Sequence, residues 1–235
     1  VRAGTRVFPG RPSHVVRVVS LLPAATDIVI ALGGADLLVG ITHECTDGAV
    51  AGRRERVTAC AVDATAAPDE IDAQVRTLAL QSRALYAFDE ERIRQLRPDL
   101  ILTQALCDVC AVKESEVRAL AAGLSPAPAV VSLSGTTLED VFDDIARVGA
   151  AIGFAADAAV LVAGLRSRLR SVHATLKAEC APRPRVAVIE WTDPVFTAGH
   201  WVPAMIARAG GVDVLAPDGG HSRVISLEAV AASNP

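Results

Sequence analysis

The segment VVRVVSLLPAATDIVIALGG, residues 15–34, decides the fold class. Its first part, Val15–Leu21, is a short run rich in β-branched residues, which predicts a strand. A turn through Pro23 leads into a predicted helix over Asp27–Leu32, and the glycine pair at 33–34 ends that helix. A strand followed directly by a turn and a helix is the opening unit of an α/β protein.

The same alternation of strands and helices continues downstream. Further strands are predicted at residues 38–41, 100–103 and 129–133, and further helices from residue 68 and at 89–96 and 113–122. The run LILT at 100–103 is mostly apolar and predicts a buried strand. Because strands that alternate with helices pair side by side, we expect a parallel sheet.

A long helical segment follows these elements. Apolar residues recur every three or four positions from Leu138 to Ile152 and again from Val162 to Leu176. A helix over residues 155–178 would be about 36 Å long at 1.5 Å per residue, which suits a connection between two lobes. After it we predict a strand at 185–190 and helices at 201–209 and 226–232, at residue numbers where the α/β pattern restarts.

We therefore predict an α/β fold with two lobes, each built on a parallel sheet, joined by a long backbone helix. The predicted divisions are an N-terminal tail at 1–14, a first lobe at 15–136, linking helices at 137–181 and a second lobe at 182–235. The second lobe is much the shorter, and the chain stops where its next strand is expected. We expect this lobe to be incomplete in the sequence.

The composition excludes several classes of protein. Hydrophobic residues make up 51% of the chain and charged residues 21%, so it can bury a core and is not intrinsically disordered. The net charge of −4 gives no basic surplus for nucleic acid. No apolar run is long enough to cross a membrane, and residues 1–14 lack the apolar stretch of a signal peptide. A cytoplasmic protein, or one whose leader precedes Val1, fits these features.

Two of the five cysteines form a CxxC pair, Cys107 and Cys110. The pair is a candidate disulfide, a candidate redox pair, or half of a metal site. His43 and Cys45, on a neighbouring predicted loop, would complete a set of four metal ligands. A structural disulfide or ordinary thiols explain the pair more simply than a metal site or redox catalysis, and these alternatives stay open.

The candidate ligand-binding residues are found by their place after strands, because ligands of open parallel sheets bind beyond the carboxyl ends of the strands. The helix that follows Pro23 can offer free backbone N–H groups to a phosphate or carboxylate. Tryptophan and tyrosine can supply flat apolar walls, although core packing is an equal alternative for each tryptophan. The set is Pro23, Ala24, Thr26, His43, Glu44, Cys45, Tyr86, Gln104, Cys107, Trp191, His200, Trp201 and Arg223.

No sequence motif names a reaction. GxSxG, P-loop, HExxH and complete GxGxxG patterns do not occur, and no Ser-His-Asp arrangement is visible by spacing. We therefore predict no catalytic residues and no required cofactor, and we expect a protein that binds rather than an enzyme.

Four segments carry a family resemblance: RVVSLLPAATD at 17–27, GITHEC at 40–45, RPDLILTQ at 97–104 and GHW at 199–201. They resemble the cobalamin-type substrate-binding proteins of ABC importers. This class has a helical backbone between two α/β lobes and is shared with iron-siderophore and haem binders. The resemblance covers roughly residues 15–235.

The resemblance implies a ligand, cobalamin or another corrinoid, held in the cleft between the lobes and delivered to membrane permease and ATPase subunits. It implies a periplasmic or lipid-anchored extracytoplasmic location. By local match of ESEVRAL, it places a permease-docking carboxylate at Glu114, with the second-lobe counterpart beyond Pro235. His43 or His200 would then approach the metal of the ligand.

Three alternatives remain at this stage. An iron-siderophore or haem binder belongs to the same class, and Arg223 would suit an anionic siderophore complex. A metal or tetrapyrrole enzyme of the chelatase kind could share a two-lobed architecture. A thiol redox protein would use Cys107 and Cys110.

Overall fold

The computed structural model describes residues 15–48, 50–81, 85–105, 112–180, 182–216 and 219–235. The chain divides into two compact units, each formed by separate stretches of sequence. Unit 1 comprises Val1–Ala61, Ser82–Ser134 and Asp144–Leu161, and unit 2 comprises Val62–Gln81, Gly135–Asp143 and Val162–Pro235.

The strands and helices alternate over most of the chain. The strands are β1 (Val18–Ser20), β2 (Leu38–Ile41), β3 (Glu55–Arg56), β4 (Thr58–Cys60), β5 (Tyr86–Phe88), β6 (Leu100–Gln104), β7 (Ala129–Leu133), β8 (Arg185–Val186), β9 (Ile189–Thr192), β10 (Val195–Thr197) and β11 (Val212–Asp213). The helices are α1 (Pro23–Ala31), α2 (Pro68–Leu80), α3 (Glu90–Leu96), α4 (Glu114–Gly123), α5 (Leu138–Ala151), α6 (Ala155–Ala178), α7 (Val202–Arg208) and α8 (Leu227–Ala232), with a 3₁₀ turn at Ala35–Leu37.

Unit 1 is built on a five-stranded sheet with the order β3-β2-β1-β6-β7. All four strand pairings are parallel. The central strand, β1, pairs with β2 on one side and β6 on the other, and all three of its residues are fully buried. The predicted α/β fold class with a parallel sheet is therefore confirmed.

The first helix begins where the sequence favours it. Pro23 stands at the start of α1, where its missing N–H costs no intrahelical hydrogen bond. Gly33, with φ of +77°, ends the helix in the left-handed region that glycine adopts without strain. Its N–H donates to the carbonyl of Ile30, and the N–H of Gly34 donates to that of Val29, which satisfies two carbonyls at the helix end.

The core of unit 1 lies beside the sheet. Its centre is a cluster of buried side chains from β1, β6, α3 and α4 and the segments between them. These side chains belong to Val19, Leu21, Val57, Ile93, Ile101, Val112, Val117, Leu120 and Ala121. The residues of β1 and β6 are buried on both faces of the sheet, apart from half-buried Gln104. This packing fixes the positions at which the loops after β1, β2 and β6 begin.

The long helix predicted over residues 155–178 is confirmed with those bounds as α6. It follows α5 after a short turn at Gly153, whose φ is +80°. At the turn, α5 and α6 approach closely, because a Cβ on Gly149 would collide with the Cβ of Ala158.

Unit 2 contains two small sheets. β8 pairs with β11 in parallel, and β9 pairs with β10 as an antiparallel hairpin. The single strand predicted at 185–190 is therefore wrong in its extent, since the two halves of this stretch pair with different partners. α2, which the sequence prediction placed in the first lobe, groups with this unit.

Candidate functional site

The loop after β2 carries His43, Glu44 and Cys45, and its backbone is fixed by side chains from β3 and β4. The N–H of His43 donates to Thr58 Oγ1 at 3.0 Å, and the ring atom Nδ1 of His43 lies 2.7 Å from the same hydroxyl. Thr58 in turn donates to Thr42 Oγ1 at 2.8 Å. The Arg56 guanidinium donates to the carbonyls of His43 and Cys45. The loop is therefore held from both sides.

Cys45 is the buried end of this loop. Its thiol donates to Thr26 Oγ1 at 3.1 Å, the Thr26 hydroxyl donates to Ser20 at 2.9 Å, and Ser20 donates to the carbonyl of Leu22 at 3.0 Å. Burial raises the pKa of the Cys45 thiol, although the hydrogen bond to Thr26 opposes the shift. Cys45 therefore stays protonated at neutral pH and is poorly suited to act as a nucleophile.

This network gives Thr26 and Cys45, which the sequence predicted as ligand contacts, a structural role. Thr26 has no exposed surface and Cys45 is 2% exposed. Their side chains join the loop after β2 to the first turn of α1, so in this structure they hold the loop from its buried side.

The loop after β2 and the start of β5 together form a partly exposed aromatic surface. The rings of His43 and Tyr86 have centroids 5.8 Å apart at an interplanar angle of 39°. The Tyr86 hydroxyl donates to the Glu44 carboxylate at 2.9 Å. His43 and Tyr86 are half-buried and Glu44 is exposed, so the three side chains together present rings and a carboxylate to the outside.

The start of α1 leaves backbone donors without a cap. The residue before the helix is Leu22, which has no side-chain acceptor, and Ala24 is exposed beside the half-buried Pro23. Asp27 follows on the same helix, and burial together with the charge of Asp47 raises the pKa of its carboxyl group. The first turn therefore combines free N–H groups with a nearby carboxylate.

In unit 2 the turn Gly199-His200-Trp201 is locked to the segment 219–222. The N–H of His200 donates to the carbonyl of Gly220 at 2.6 Å, and the N–H of Gly219 donates to the carbonyl of His200 at 3.0 Å. His200 has φ of +55°, a strained value for a residue with a side chain. The surrounding backbone hydrogen bonds hold it there.

The side chains of this turn form a second cluster of rings. The His200 ring lies 5.9 Å from that of Trp201 and 5.3 Å from that of His221, which it meets edge to face. Within the described part of the chain, Nε2 of His200 is buried and has no hydrogen-bond partner. Trp191, on β9, is half-buried, and its indole N–H donates to the carbonyl of Asp193 at 2.8 Å.

The other predicted residues are placed as follows. Gln104 is half-buried at the end of β6, and Arg223 is exposed in unit 2 with its guanidinium donating to the carbonyl of Leu215. Cys107 and Cys110 lie outside the described residues, so the predicted disulfide, redox pair and four-ligand metal set stay predictions. Among the residues described, no group of three His, Cys, Asp or Glu side chains is placed to hold a metal ion.

Glu114 stands at the start of α4. Its carboxylate accepts hydrogen bonds from Ser132 at 2.6 Å and from Arg118 at 2.8 Å, and its side chain is 28% exposed. The hydrogen bond from Ser132, followed by that from Arg118, lowers the pKa of this carboxyl group. Glu114 is therefore ionised at neutral pH, with part of its carboxylate open to the outside.

Several residues of the site were missed by sequence reasoning. Thr42, Arg56 and Thr58 hold the His43 loop, yet Thr58 is 15 residues away from His43 and no local pattern joins them. Gly199 was noted only as part of a turn, although its lack of a side chain is what lets two segments approach.

The comparison with protein families decides the assignment. A family model described as periplasmic binding protein matches residues 18–235. The chain belongs to the periplasmic binding protein family. The resemblance drawn from four sequence segments is therefore confirmed at the family level. No curated protein sequence matches the chain significantly.

Solved structures of this family share the fold. The periplasmic haem-binding protein RhuT from Roseiflexus sp. RS-1 has 20% identity and a TM-score of 0.66, covering 94% of this chain and 74% of its own. The periplasmic vitamin B12 binding protein BtuF of Vibrio cholerae has 23% identity and a TM-score of 0.59, with coverages of 93% and 73%. The periplasmic haem-binding protein HutB of Vibrio cholerae has 13% identity and a TM-score of 0.69, with coverages of 94% and 74%. These likenesses establish the fold.

The helices of this periplasmic binding protein can be compared with a membrane-spanning helix in length and hydropathy. Of the helices in the described ranges, none combines the length and the apolar character needed to cross a bilayer.

Proposed function

We propose that this periplasmic binding protein is the substrate-binding component of an ABC importer, and that it binds cobalamin or a related corrinoid. It would deliver the ligand to permease and ATPase subunits from a periplasmic or lipid-anchored position. The family match supports the binding role. A similar structure is that of an ABC transporter substrate-binding protein from Listeria monocytogenes, and another is that of a vitamin B12 binding protein.

The observation that carries the ligand class is the surface formed by His43, Tyr86 and Glu44. Flat rings suit contact with a planar macrocycle. An imidazole nitrogen suits the metal at its centre. A carboxylate suits the polar groups at the edge of a corrinoid. The surface thus offers one partner for each chemical part of the ligand.

The cluster in unit 2 offers the same chemistry. Trp191 and Trp201 supply indole rings, and His200 supplies an imidazole whose Nε2 is unpartnered within the described residues. The proposed contacts across the chain are Pro23, Ala24, His43, Glu44, Tyr86, Gln104, Cys107, Trp191, His200, Trp201 and Arg223, with Thr26 and Cys45 supporting them. Each cluster can be tested by its own substitutions.

A haem binder is the second candidate. Two of the three similar structures described above are haem-binding proteins. The same rings and imidazoles suit an iron porphyrin, because haem is also a planar metal macrocycle and histidine and tyrosine are among its axial ligands. The two ligands must be separated by direct measurement.

Calorimetric titration with cyanocobalamin, its base-free form cobinamide, haemin and a ferric hydroxamate siderophore tests the proposal. Saturable binding of the corrinoids alone supports the corrinoid assignment. Binding of haemin without the corrinoids replaces it with the second candidate. Failure of all four probes refutes the proposed ligand class.

A pair of Tyr86 variants then asks whether the unit 1 surface is the binding surface. Tyr86→Ala removes the ring and should weaken corrinoid binding about 5- to 30-fold, as expected of an aromatic anchor. Tyr86→Phe keeps the ring and removes the hydroxyl that donates to Glu44. Equal affinity of Tyr86→Ala and the unchanged protein would remove this surface from the proposed site.

We also propose that Glu114 docks on a basic residue of the permease. Its carboxylate is ionised and partly exposed, so it can add an intermolecular partner to its hydrogen bonds from Ser132 and Arg118. Glu114→Lys should leave the calorimetric affinity for ligand unchanged and reduce the stimulation of ATP hydrolysis by the reconstituted permease complex. Exposed Glu116, two residues along α4, gives the matched control Glu116→Lys. Equal stimulation by both variants would contradict docking through Glu114.

A further inference from the structure

A cavity of about 850 Å³ lies at the amino end of the sheet in unit 1, opposite the end where the loop with His43 begins. It is lined by three segments that precede neighbouring strands. Arg17 stands directly before β1, residues 94–98 lead into β6, and residues 124–126 precede β7. These strands pair in parallel, so their amino ends meet at one edge of the sheet. Along β6 the two edges are about 13 Å apart, at 3.3 Å per residue.

The lining of this cavity is basic. Among the described residues that line it, three are arginines, Arg17, Arg94 and Arg97, and none is acidic. Two carboxylates are bonded to these arginines. Glu91 accepts a hydrogen bond from Arg94 at 2.6 Å, and Asp99 accepts one from the backbone N–H of Arg17 at 3.0 Å. Three guanidinium groups against two carboxylates leave a positive surplus, which attracts anions into a cleft.

Two of the guanidinium groups keep donors without a partner. Nε of Arg17 donates to the carbonyl of Leu96 at 2.7 Å, and the terminal amino groups of Arg17 have no acceptor among the described residues. The guanidinium of Arg97 makes no hydrogen bond or ion pair within the same part of the chain. The exposed residue Ser125 adds a hydroxyl to the lining. The cavity therefore offers several donors to an anion.

The backbone at Arg97 is strained. This residue ends α3 with φ of +44°, in the left-handed region that favours glycine. Its N–H donates to the carbonyl of Arg94, so the helix end holds this conformation. A glycine would make the same turn without strain. Strained residues occur most often at functional sites, and the free guanidinium is the group that Arg97 offers there.

We propose that this cavity binds a phosphate group carried by an organic molecule, with Arg97, Arg17 and Ser125 as donors to the phosphate oxygens. A guanidinium group matches phosphate with paired N–H donors. A phosphate suits several separate donors better than a carboxylate does, because it has three free oxygens and carries about two negative charges. Apolar residues beside the arginines can contact the organic part; they are Pro98, Leu124 and Pro126.

The volume of the cavity is within the usual range of small-molecule sites, about 300–1,000 Å³. The phosphate belongs either to a free phosphorylated molecule or to a phospholipid headgroup. In both cases the site is separate from the proposed corrinoid surface and does not depend on the corrinoid assignment.

Calorimetric titration with pyrophosphate and with adenosine 5′-monophosphate tests for a free phosphorylated ligand, and co-sedimentation with phosphatidylglycerol vesicles tests for a headgroup. Binding of the soluble probes supports the first source, and binding of the vesicles alone supports the second. Adenosine, citrate and neutral phosphatidylcholine vesicles are the controls. Failure of all three phosphate probes overturns the proposal. Equal binding of adenosine and its monophosphate, or tighter binding of citrate than of pyrophosphate, overturns the choice of phosphate.

A pair of arginine variants tests the position of the site. Arg97→Gly should weaken phosphate binding at least about 10-fold and keep or raise the melting temperature, because glycine relieves the strained backbone. Arg53→Gly is the matched control, since Arg53 is an exposed arginine of unit 1 that does not line the cavity. It should change the affinity by less than about 2-fold. Equal weakening by both variants would indicate general attraction to surface charge and overturn the site.

Tyr86→Ala separates this proposal from the proposed function. It should leave phosphate binding unchanged, whatever it does to the binding of corrinoids. Loss of phosphate binding in a folded Tyr86→Ala protein would place the phosphate on the corrinoid surface and overturn a second site. Absence of corrinoid binding would overturn the proposed function alone.

Discussion

Gly199 is where a single methyl group should disturb the unit 2 turn most. A Cβ at this position would lie 2.8 Å from the carbonyl oxygen of Gly220 and 2.8 Å from the carbonyl carbon of His221, and closer still to the backbone nitrogen of Ser222. All three neighbours are main-chain atoms, which cannot swing aside as a flexible side chain can. Gly199→Ala must therefore push apart the two segments whose hydrogen bonds hold His200.

Forcing a methyl group into a packed position costs about 1–3 kcal/mol. For a chain of this size, about 2 kcal/mol lowers the melting temperature by roughly 4–8 °C, measured by calorimetry or circular dichroism. Gly164→Ala is the matched control, because Gly164 lies within α6 with no atom within 4 Å of its would-be Cβ. This control should gain about 0.5–1 kcal/mol from better helix propensity. Melting of Gly199→Ala at or above the unchanged protein would refute the argument from backbone crowding.

Three further predictions concern unit 1 and are checked by urea denaturation. Asp89 caps α3 by accepting a hydrogen bond from the N–H of Arg92 at 2.8 Å. Asp89→Ala should therefore lower the free energy of unfolding by about 1 kcal/mol, whereas Asp89→Asn should keep most of the stabilisation. Equal losses in the two variants would argue against the cap. Ile101 is fully buried in the sheet, so Ile101→Ala should cost about 2–5 kcal/mol, whereas Val160→Ala at a 74% exposed position should change little. The folded state lowers the pKa of the Glu114 carboxyl group, so ionised Glu114 stabilises the fold above the ordinary carboxyl pKa. This stabilisation is lost as the pH falls through the lowered pKa, so the difference in unfolding free energy between Glu114→Gln and the unchanged protein should shrink in acid. A difference that does not depend on pH would contradict this assignment.

The sequence predicted those elements of the fold whose residues carry a strong local pattern. α6 and β7 have the predicted bounds, and α2 begins at the predicted Pro68. β3 was missed because Glu55 and Arg56 are both exposed, so neither alternation nor an apolar run marks them as a strand. The break between β8 and β9 was missed for a different reason, since it depends on which distant strand each one pairs with.

The sequence also predicted some residues of the candidate site and not others. The sequence marked His43, Glu44 and Cys45 because they follow a recognisable strand, and it marked Tyr86 by its rarity in the chain. It gave no indication that Thr58 would meet His43, because that contact is made only when β4 comes beside the loop after β2. The burial of Thr26 and Cys45 likewise follows from packing between segments, which a linear pattern does not contain.

The central position of β1 has a consequence for the order in which the chain can fold. Val18 pairs with residue 38 on one side but must wait for residue 100 on the other. The second loop is about four times longer than the first, which adds about 1.2 kcal/mol to the entropy cost of closing it. A growing chain therefore passes through a stage in which β1 has one partner and one open edge of unpaired backbone N–H and C=O groups. At that stage the edge is a template for mispairing with other chains, so a chaperone that shields the first hundred residues should raise the yield of folded protein.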